Sequence, residues 1–475
     1  MRPLKLCVIA DTHYYDASLG QTGEAYRLRS ASDQKCLAET DAIISAAFKK
    51  IADSDCDAVL LAGDLTNDGE RICHEKMREK LYELQKHKRV FVTTATHDWC
   101  CDRNPRRFAG DKTYNDVETV SHEELYALYD DFGTAAARDK FITHLGTASY
   151  LADLADDVVL LALNDDQNGK GKAGYKPDHL QWILETIRRE TEAGKTVIGM
   201  QHHLLYPHLS PLVTDGCCCG DREELLEQLS DAGLRLMFVG HSHIQRIDRY
   251  TSPAGSELVE INVGSLCGYP APMVQIEITE NEIHIHTEFL EQFQYNGKTV
   301  DAQGYLRAHA VHLIGGVLDT LAFGDRRAMA KKLASFGVAD AQTIAENYGG
   351  LLQFGARQIL TCTVGKVYKA VRLLPMQTDF DANEVRALQN VPLTDIANDL
   401  LLSALSGVPA GENRSPAYAN VLRAAGKLPE QICQAMHLRD EKLCTLCADL
   451  RTLMTALCTG GETDNHTRTI SRKPL

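Results

Sequence analysis

No apolar stretch of the chain approaches the ~20 consecutive residues that a membrane-spanning helix needs, which excludes a helical membrane protein. Positive charge is also in short supply: 50 Lys and Arg stand against 65 Asp and Glu, a formal charge of −15. That balance disfavours non-specific binding to nucleic acid or to an anionic membrane, though a local basic patch can still recruit a phosphate. A secretory leader is not expected either. The opening run from Leu4 to Ala10 has too short an apolar part and is followed at once by Asp11 and His13, so it reads as a strand. Cysteine, by contrast, is plentiful but odd in number, with 15 scattered over 475 residues. With no secretory signal, reduced thiols and a cytoplasmic location are expected. There is no internal repeat. Hydrophobic residues at 44% and charged residues at 24% mark an ordinary globular chain with room for two or three domains.

The first 290 residues repeat one pattern, in which a short apolar run leads to a polar cluster and then an amphipathic helix. The runs are Leu4 to Ala10, Ala58 to Leu61, Val90 to Thr94, Val158 to Leu163, Thr196 to Met200 and Leu234 to Val239. They are rich in Val, Ile and Leu and mostly unalternating, as strands buried on both faces are. Leu37, Ile44, Phe48 and Ile51 mark one intervening helix, and Ile72, Leu81 and Leu84 a weaker one. Pro177 opens a third, and Asp221 with Glu224 resembles a capping box for a fourth. Val274, Ile276 and Ile278 then alternate with polar residues, turn at Glu280-Asn281, and alternate again through Ile283, Ile285 and Phe289, which predicts a hairpin with one wet face. Beyond about residue 300 helical periodicity takes over, at 309–322, 326–337, 341–372, 393–405 and 428–457. The expected organisation is an α/β domain over 1–295, a helical domain over 300–459 and a disordered tail over 460–475.

The polar clusters fall at strand ends. Asp11-Thr-His13 follows the first run, Gly63-Asp64 the second, Thr96-His97-Asp98 the third, Gln201-His202-His203 the fifth and Gly240-His241-Ser-His243 the sixth. Open α/β sheets bind ligands outside the carboxyl ends of their strands. Each cluster alone is more often a turn than a ligand set; five at strand ends point to one rim carrying carboxylates and imidazoles together.

In this order and spacing, Asp11-x-His13, Gly63-Asp64, Thr96-His97-Asp98, His202 and Gly240-His241-x-His243 resemble the calcineurin-like metallophosphoesterase superfamily over residues 1–290. The stretch through Gly264-Ser265 and Tyr269-Pro270 resembles its phosphodiesterase-like branch. The resemblance implies a β-sandwich flanked by helices, with the helical C-terminal region added. It implies that Asp11, His13, Asp64 and His243 hold a first metal ion. Asp64 would bridge to a second, which His202 and His241 complete, and His97 would stand beside the substrate as the catalytic residue. Four imidazoles and two carboxylates suit Mn, Fe or Zn better than Ca or Mg. The family motif carries Asn where this chain has Thr96. A hydroxyl is a poorer and shorter neutral ligand, so a weaker or waterier second site is expected, or one completed by Asn67 or Asp165. The implied activity is hydrolysis of a phosphomonoester or phosphodiester by metal-activated hydroxide. His97 would be oriented by Asp98 or Asp68. The alternative, for which Thr96 speaks, is a catalytically degenerate scaffold that binds a partner.

Other residues carry two readings each. His203 adjoins His202 and points the other way, toward substrate or into packing. Asn164-Asp165 ends a strand at the same rim and could serve substrate or merely turn the chain. Arg103, Arg106 and Arg107 could grip a phosphate or form an exposed basic loop. His284 and His286 read as solvated imidazoles on the hairpin's polar face. Cys433, Cys444, Cys447 and Cys458 have helix spacing and read as packing, and Cys217-Cys218-Cys219 reads as loop. The expected partner is a phosphorylated small molecule or other phosphoester, with no stable nucleic-acid binding and no membrane span. Substrate identity and oligomeric state stay open.

Overall fold

The computed structural model describes residues 2–101, 103–166, 173–334, 338, 340–374, 376–412, 414–437, 441–459 and 464–472. Thirteen strands build two sheets: β1 (Leu4–Ile9), β2 (Ala58–Ala62), β3 (Arg89–Thr93), β4 (Asp139–Ile142), β5 (Ala148–Ala155), β6 (Val158–Ala162), β7 (Thr196–Met200), β8 (Leu236–Val239), β9 (Arg246–Thr251), β10 (Glu257–Asn262), β11 (Pro272–Ile278), β12 (Glu282–Phe289) and β13 (Thr467–Ser471). The first sheet runs β13-β12-β11-β1-β2-β3, and the second β9-β10-β8-β7-β6-β5-β4. β1, β2 and β3 are parallel to one another, as are β6, β7, β8 and β10.

Why the strand sequences fail to alternate is visible in the packing. Leu6, Val8, Leu60 and Phe91 face the second sheet and meet Leu160, Ile198 and Phe238 there. Their neighbours Cys7, Ile9, Val59, Leu61 and Val92 face the other way, against helices α1 (Thr40–Asp53) and α2 (Arg71–Gln85), through Ile44, Ala47, Ile51, Met77 and Leu81. Both faces of the first sheet are therefore dry, and each fully buried Val, Leu or Ile contributes about 1.5–3 kcal/mol of transfer free energy. On the second sheet, helix α3 (Pro177–Glu192) opens on Pro177 as expected and buries Ile183 and Ile187. Helix α4 (Arg222–Ala232) buries Leu225, Leu226 and Leu229, but its capping box does not form. Asp221 takes a left-handed φ of 60° and its side chain makes no cap bond. The hairpin β11–β12 forms with Val274, Ile276, Ile283 and Ile285 in the inter-sheet core and His286 exposed.

The chain divides into two compact units, one of Met1–Tyr206, Cys218–His309 and Asn465–Leu475, the other of Pro207–Cys217 and Ala310–Asp464. The tail differs from its expected disorder: β13 pairs with the free edge of β12 from Glu282↔Ser471 to His286↔Thr467. Ile470 packs against the inter-sheet core, and Arg472 pairs with Asp157 at 2.6 Å. Residues 460–463 and 473–475 lie outside the described residues.

The second unit is mainly helical. Its helices include Arg326–Ala334, Leu393–Ser406 and, in place of one helix over 341–372, Ala341–Thr361 followed by Val364–Val371. The break comes because Val364 N–H is taken by the Val391 carbonyl at 3.0 Å. Residues 335–337 of the expected 326–337 helix lie outside the described residues. The expected 428–457 helix is two helices, Pro416–Ala435 and Glu441–Thr459. Cys433 and Cys447 meet across that pair at 3.6 Å and Cys458 is buried, while Cys444 is exposed. The four thiols thus share neither one helix nor one face. Buried cysteines such as Cys7, Cys36, Cys56, Cys73 and Cys267 are free thiols. Among the described residues no helix is long and apolar enough to cross a membrane.

Candidate metal centre

Each parallel strand leaves its sheet at the same edge, and the residues that follow carry the polar groups. Asp11 and His13 follow β1, Asp64 follows β2, His97 follows β3, His202 follows β7, and His241 and His243 follow β8. Five of these adopt left-handed backbone, with φ of 52° at Asp11, 44° at His13, 50° at Asp64, 66° at His241 and 58° at His243. An L-residue there is strained by roughly 1–2 kcal/mol, and such strain concentrates at functional sites. Cross-links hold the bends: Asp11 N–H donates to the Gly63 carbonyl at 3.2 Å, His13 N–H to the Asp64 carbonyl at 3.0 Å, and Gly240 N–H to the His202 carbonyl at 2.9 Å. Two glycines are sterically required. A Cβ on Gly63 (φ 86°) would lie 2.6 Å from His202 Nδ1, and one on Gly240 would lie 2.4 Å from Asp11 Oδ2.

Asp11, His13, Asp64 and His202 are fully or almost fully buried. His13 Nε2 and His243 Nε2 face each other at 3.0 Å, at 3.5 and 3.3 Å from Asp11 Oδ1. His202 Nε2 lies 3.0 Å from Asp64 Oδ2 and 3.2 Å from His241 Nδ1. His202 Nδ1–H donates to the Ala62 carbonyl at 2.8 Å, which orients the ring and turns Nε2 toward the carboxylate. Burial, with Lys35 assisting, pushes His13 down to about 3, and burial with the neighbouring imidazoles lowers His241 well below its ordinary range. Burial opposes the charge on Asp11 and Asp64, yet the surrounding imidazoles hold both carboxyls below the usual range. Asp64 in turn raises His202 against the effect of burial.

Nitrogen and oxygen atoms crowded this closely form a donor set that can hold a cation among them. Asp11, His13 and His243 form one group whose ligand atoms lie within 4.8 Å of one another, and Asp64, His202 and His241 form another. His13, Asp64 and His97 satisfy the same distance. The donor set of imidazole nitrogens and carboxylate oxygens fits Mn, Fe or Zn.

His97 differs from the others. Its backbone N–H donates to Asp64 Oδ1 at 2.9 Å, its Nδ1–H bonds to the Asn67 carbonyl, and Nδ1 lies 3.3 Å from Asp68 Oδ1. A third of its side chain is exposed, and its ring stands edge-on to His13 at 4.9 Å. Burial and Lys35 act against its charged form, but Asp64 and Asp68 outweigh them and its pKa is raised. Asp68, not Asp98, is therefore the carboxylate beside His97. Asp98 instead accepts from Thr66 N, Thr66 Oγ1 and Ala95 N at 2.9, 3.2 and 2.9 Å and ties the β2 and β3 loops together.

The remaining sequence expectations sort by geometry. Thr96 is half-buried next to His97. Asn67 is committed elsewhere, donating to Glu70 at 3.1 Å and accepting from Lys35 at 3.5 Å, so it does not complete the Asp64 group. Asp165 lies against His203, with Oδ2 3.3 Å from its Nδ1, and outside the Asp64 group. Asn164 is 3% exposed and bonds Thr94, Thr147 and Asp166, which leaves its amide no atom for a substrate. Arg106 pairs with Asp68 at 2.8 Å and so reaches the His97 surroundings. Arg107 forks onto Asp116, and Arg103 is exposed. Cys219 Sγ, expected as plain loop, is buried 3.9 Å from Asp165. Sequence reasoning missed Lys35 and Arg29. Both lie in the segment between β1 and α1, where no local pattern marks them, and they flank Asp68 and Asn67.

A helix-flanked pair of sheets, with Asp and His from five parallel strand ends at one edge, defines a metallophosphoesterase. The chain belongs to the calcineurin-like phosphoesterase family, whose pattern matches residues 4–245. Among solved structures it is similar to a dimetal phosphatase from Danio rerio, at 14% identity and a TM-score of 0.42, over 63% of this chain and 99% of that one. It is also similar to a purple acid phosphatase from yellow lupin (Lupinus luteus) seeds, at 10% identity and a TM-score of 0.39, over 63% of this chain and 53% of that one. No curated protein matches the chain in sequence.

Proposed function

We propose that the chain is a metal-dependent hydrolase of a phosphoric monoester or diester. The observation that carries this reading is the pair of buried Asp/His groups that meet through Asp64. Asp11, His13, Asp64 and His243 would hold one transition cation, and Asp64, His202 and His241 the other. When bound, such a pair supplies a water of lowered pKa and neutralises the phosphoryl oxygens.

The chain's own residues do the rest. Nδ1 of His97 is fixed on the Asn67 carbonyl, which leaves Nε2 to meet a substrate, and its raised pKa favours the form that can protonate the departing ester oxygen. Asp68 favours the charged form of that imidazole, and Arg106 and Lys35 add positive potential toward an anionic substrate. The free thiols suit a reducing compartment such as the cytoplasm.

The test is hydrolysis of p-nitrophenyl phosphate and bis(p-nitrophenyl) phosphate by the Mn-loaded protein, with Asp64→Ala as control. Turnover of either ester that Asp64→Ala abolishes supports the reading. No turnover of either, together with no bound metal, defeats it in favour of a degenerate scaffold, the reading Thr96 favours.

A further inference from the structure

A second polar cluster lies against the outer side of His241. Asp165 and Asp166 follow β6, and His203 follows His202 after β7. The His203 ring packs on the His241 ring, centroids 4.3 Å apart. Asp165, Asp166 and His203 are 0%, 9% and 6% exposed. Asp165 Oδ2 accepts from the His203 backbone N–H at 2.6 Å, and Asp166 Oδ2 from the Asn164 amide at 3.2 Å. Asp165 Oδ1, Asp166 Oδ1 and His203 Nδ1 are buried without a hydrogen-bond partner, and Nδ1 lies 3.3 Å from Asp165 Oδ2. One ligand atom from each residue can be chosen so that all lie within 4.8 Å of one another. Among the described residues no Lys or Arg pairs with either carboxylate.

Two adjacent buried carboxylates repel each other, and a cation bound between them and the imidazole relieves that repulsion. Burial and Asp165 push Asp166 up to about 7, the direction that such crowding dictates.

We propose that Asp165, Asp166 and His203 hold a further divalent transition cation, separate from the pair that meets through Asp64. One imidazole nitrogen and two carboxylate oxygens, with the Cys219 thiol beside Asp165, form a donor set for Mn or Zn. The site does not depend on the phosphoesterase reading, since none of its three side chains belongs to the Asp64 groups.

The experiment counts metal in the full chain after Mn or Zn loading and gel filtration, for the unmutated protein, Asp166→Asn, His203→Gln, Asp64→Ala and the Asp64→Ala/Asp166→Asn double variant. Asp166→Asn and His203→Gln should each lose one equivalent, and the losses in the double variant should add. Melting provides a second measure. In chelator Asp166→Asn should melt at or above the unmutated chain, because a like charge is relieved, and with Mn the order should reverse. Equal metal content in the unmutated chain and both single variants, each shown folded by its melt, overturns the proposal in favour of a carboxyl pair sharing a proton. A chain empty at the Asp64 groups that still loses an equivalent on Asp166→Asn would defeat the phosphoesterase reading and leave this one standing.

Discussion

Asp68→Asn isolates the chemistry of His97. Asp68 is 1% exposed, and its carboxylate lies 3.3 Å from His97 Nδ1 and 2.8 Å from Arg106. Burial opposes its ionisation, but His97, Lys35 and Arg106 hold its carboxyl below the usual range, so the group is an anion throughout the neutral region. At the distance between Asp68 and His97, unit charges interact by about 5 kcal/mol at an effective dielectric of ~20, and about half that for an imidazole one-third exposed. Removing the charge while keeping the shape should therefore lower the His97 pKa by roughly two units. If protonated His97 serves the leaving group, the basic limb of the kcat/KM profile of the Mn-loaded enzyme moves to lower pH by about that amount. Activity at acid pH should fall far less than activity at pH 8. A basic limb that stays put within about half a unit, with kcat lowered equally at all pH values, would refute the assignment and leave Asp68 a packing residue. The same substitution affects stability with a definite sign. A carboxyl lowered on folding stabilises above its unfolded pKa of ~3.9 and loses that contribution as pH falls, so Asp68→Asn flattens acid denaturation.

Three further outcomes follow from the same geometry. Thr96→Asn should tighten one Mn by about tenfold, ~1.4 kcal/mol, in a metal titration, because an amide oxygen is a longer and better donor than a hydroxyl; unchanged affinity would mean that position does not face the Asp64 group. Gly63→Ala should destabilise the fold by about 3 kcal/mol in urea unfolding, from the left-handed backbone and the collision with the His202 ring, and should empty the Asp64–His202–His241 group. Burial holds His74 down to about 4, with Nδ1 2.7 Å from the Tyr129 hydroxyl and Nε2 2.8 Å from the Asp98 carbonyl. Its neutral form stabilises fully above the unfolded value of ~6.5, and ~3 kcal/mol is lost as pH falls from there toward 4. His74→Gln should remove that slope from the pH dependence of urea midpoints, and a slope that survives would place the protonation elsewhere.

Residues in local register were legible before folding. Leu6, Val8 and Leu60 alternate with Cys7, Ile9 and Leu61 between two dry faces, so the strands read as unbroken apolar runs, and their ends marked Asp11, Asp64, His97, His202, His241 and His243. The tail read as disordered because Thr467–Ser471 is largely polar; only the unpaired edge of β12 makes a strand of it. The Asp221 cap failed for a related reason, since the loop entering α4 sets its left-handed backbone and the side chain cannot turn back. Nor could spacing choose between Asp98 and Asp68, which both lie within a few residues of strand ends. The choice depends on Thr66 and Ala95 taking the first and leaving the second for His97.

The amino-acid order by itself marked the apolar parallel strands, the helices between them and the residue types at the strand ends, because burial period and turn chemistry are properties of neighbours along the chain. Tertiary structure alone decided that Asp64 meets His202, that His13 meets His243, and that Asp165 turns aside to Asp166 and His203. His13 and His243 are 230 positions apart and, like Asp64 and His202, come from different sheets, so only the packing of the two sheets brings them together. Asp165 reaches His203 through the pairing of β6 with β7, and no local pattern encodes either.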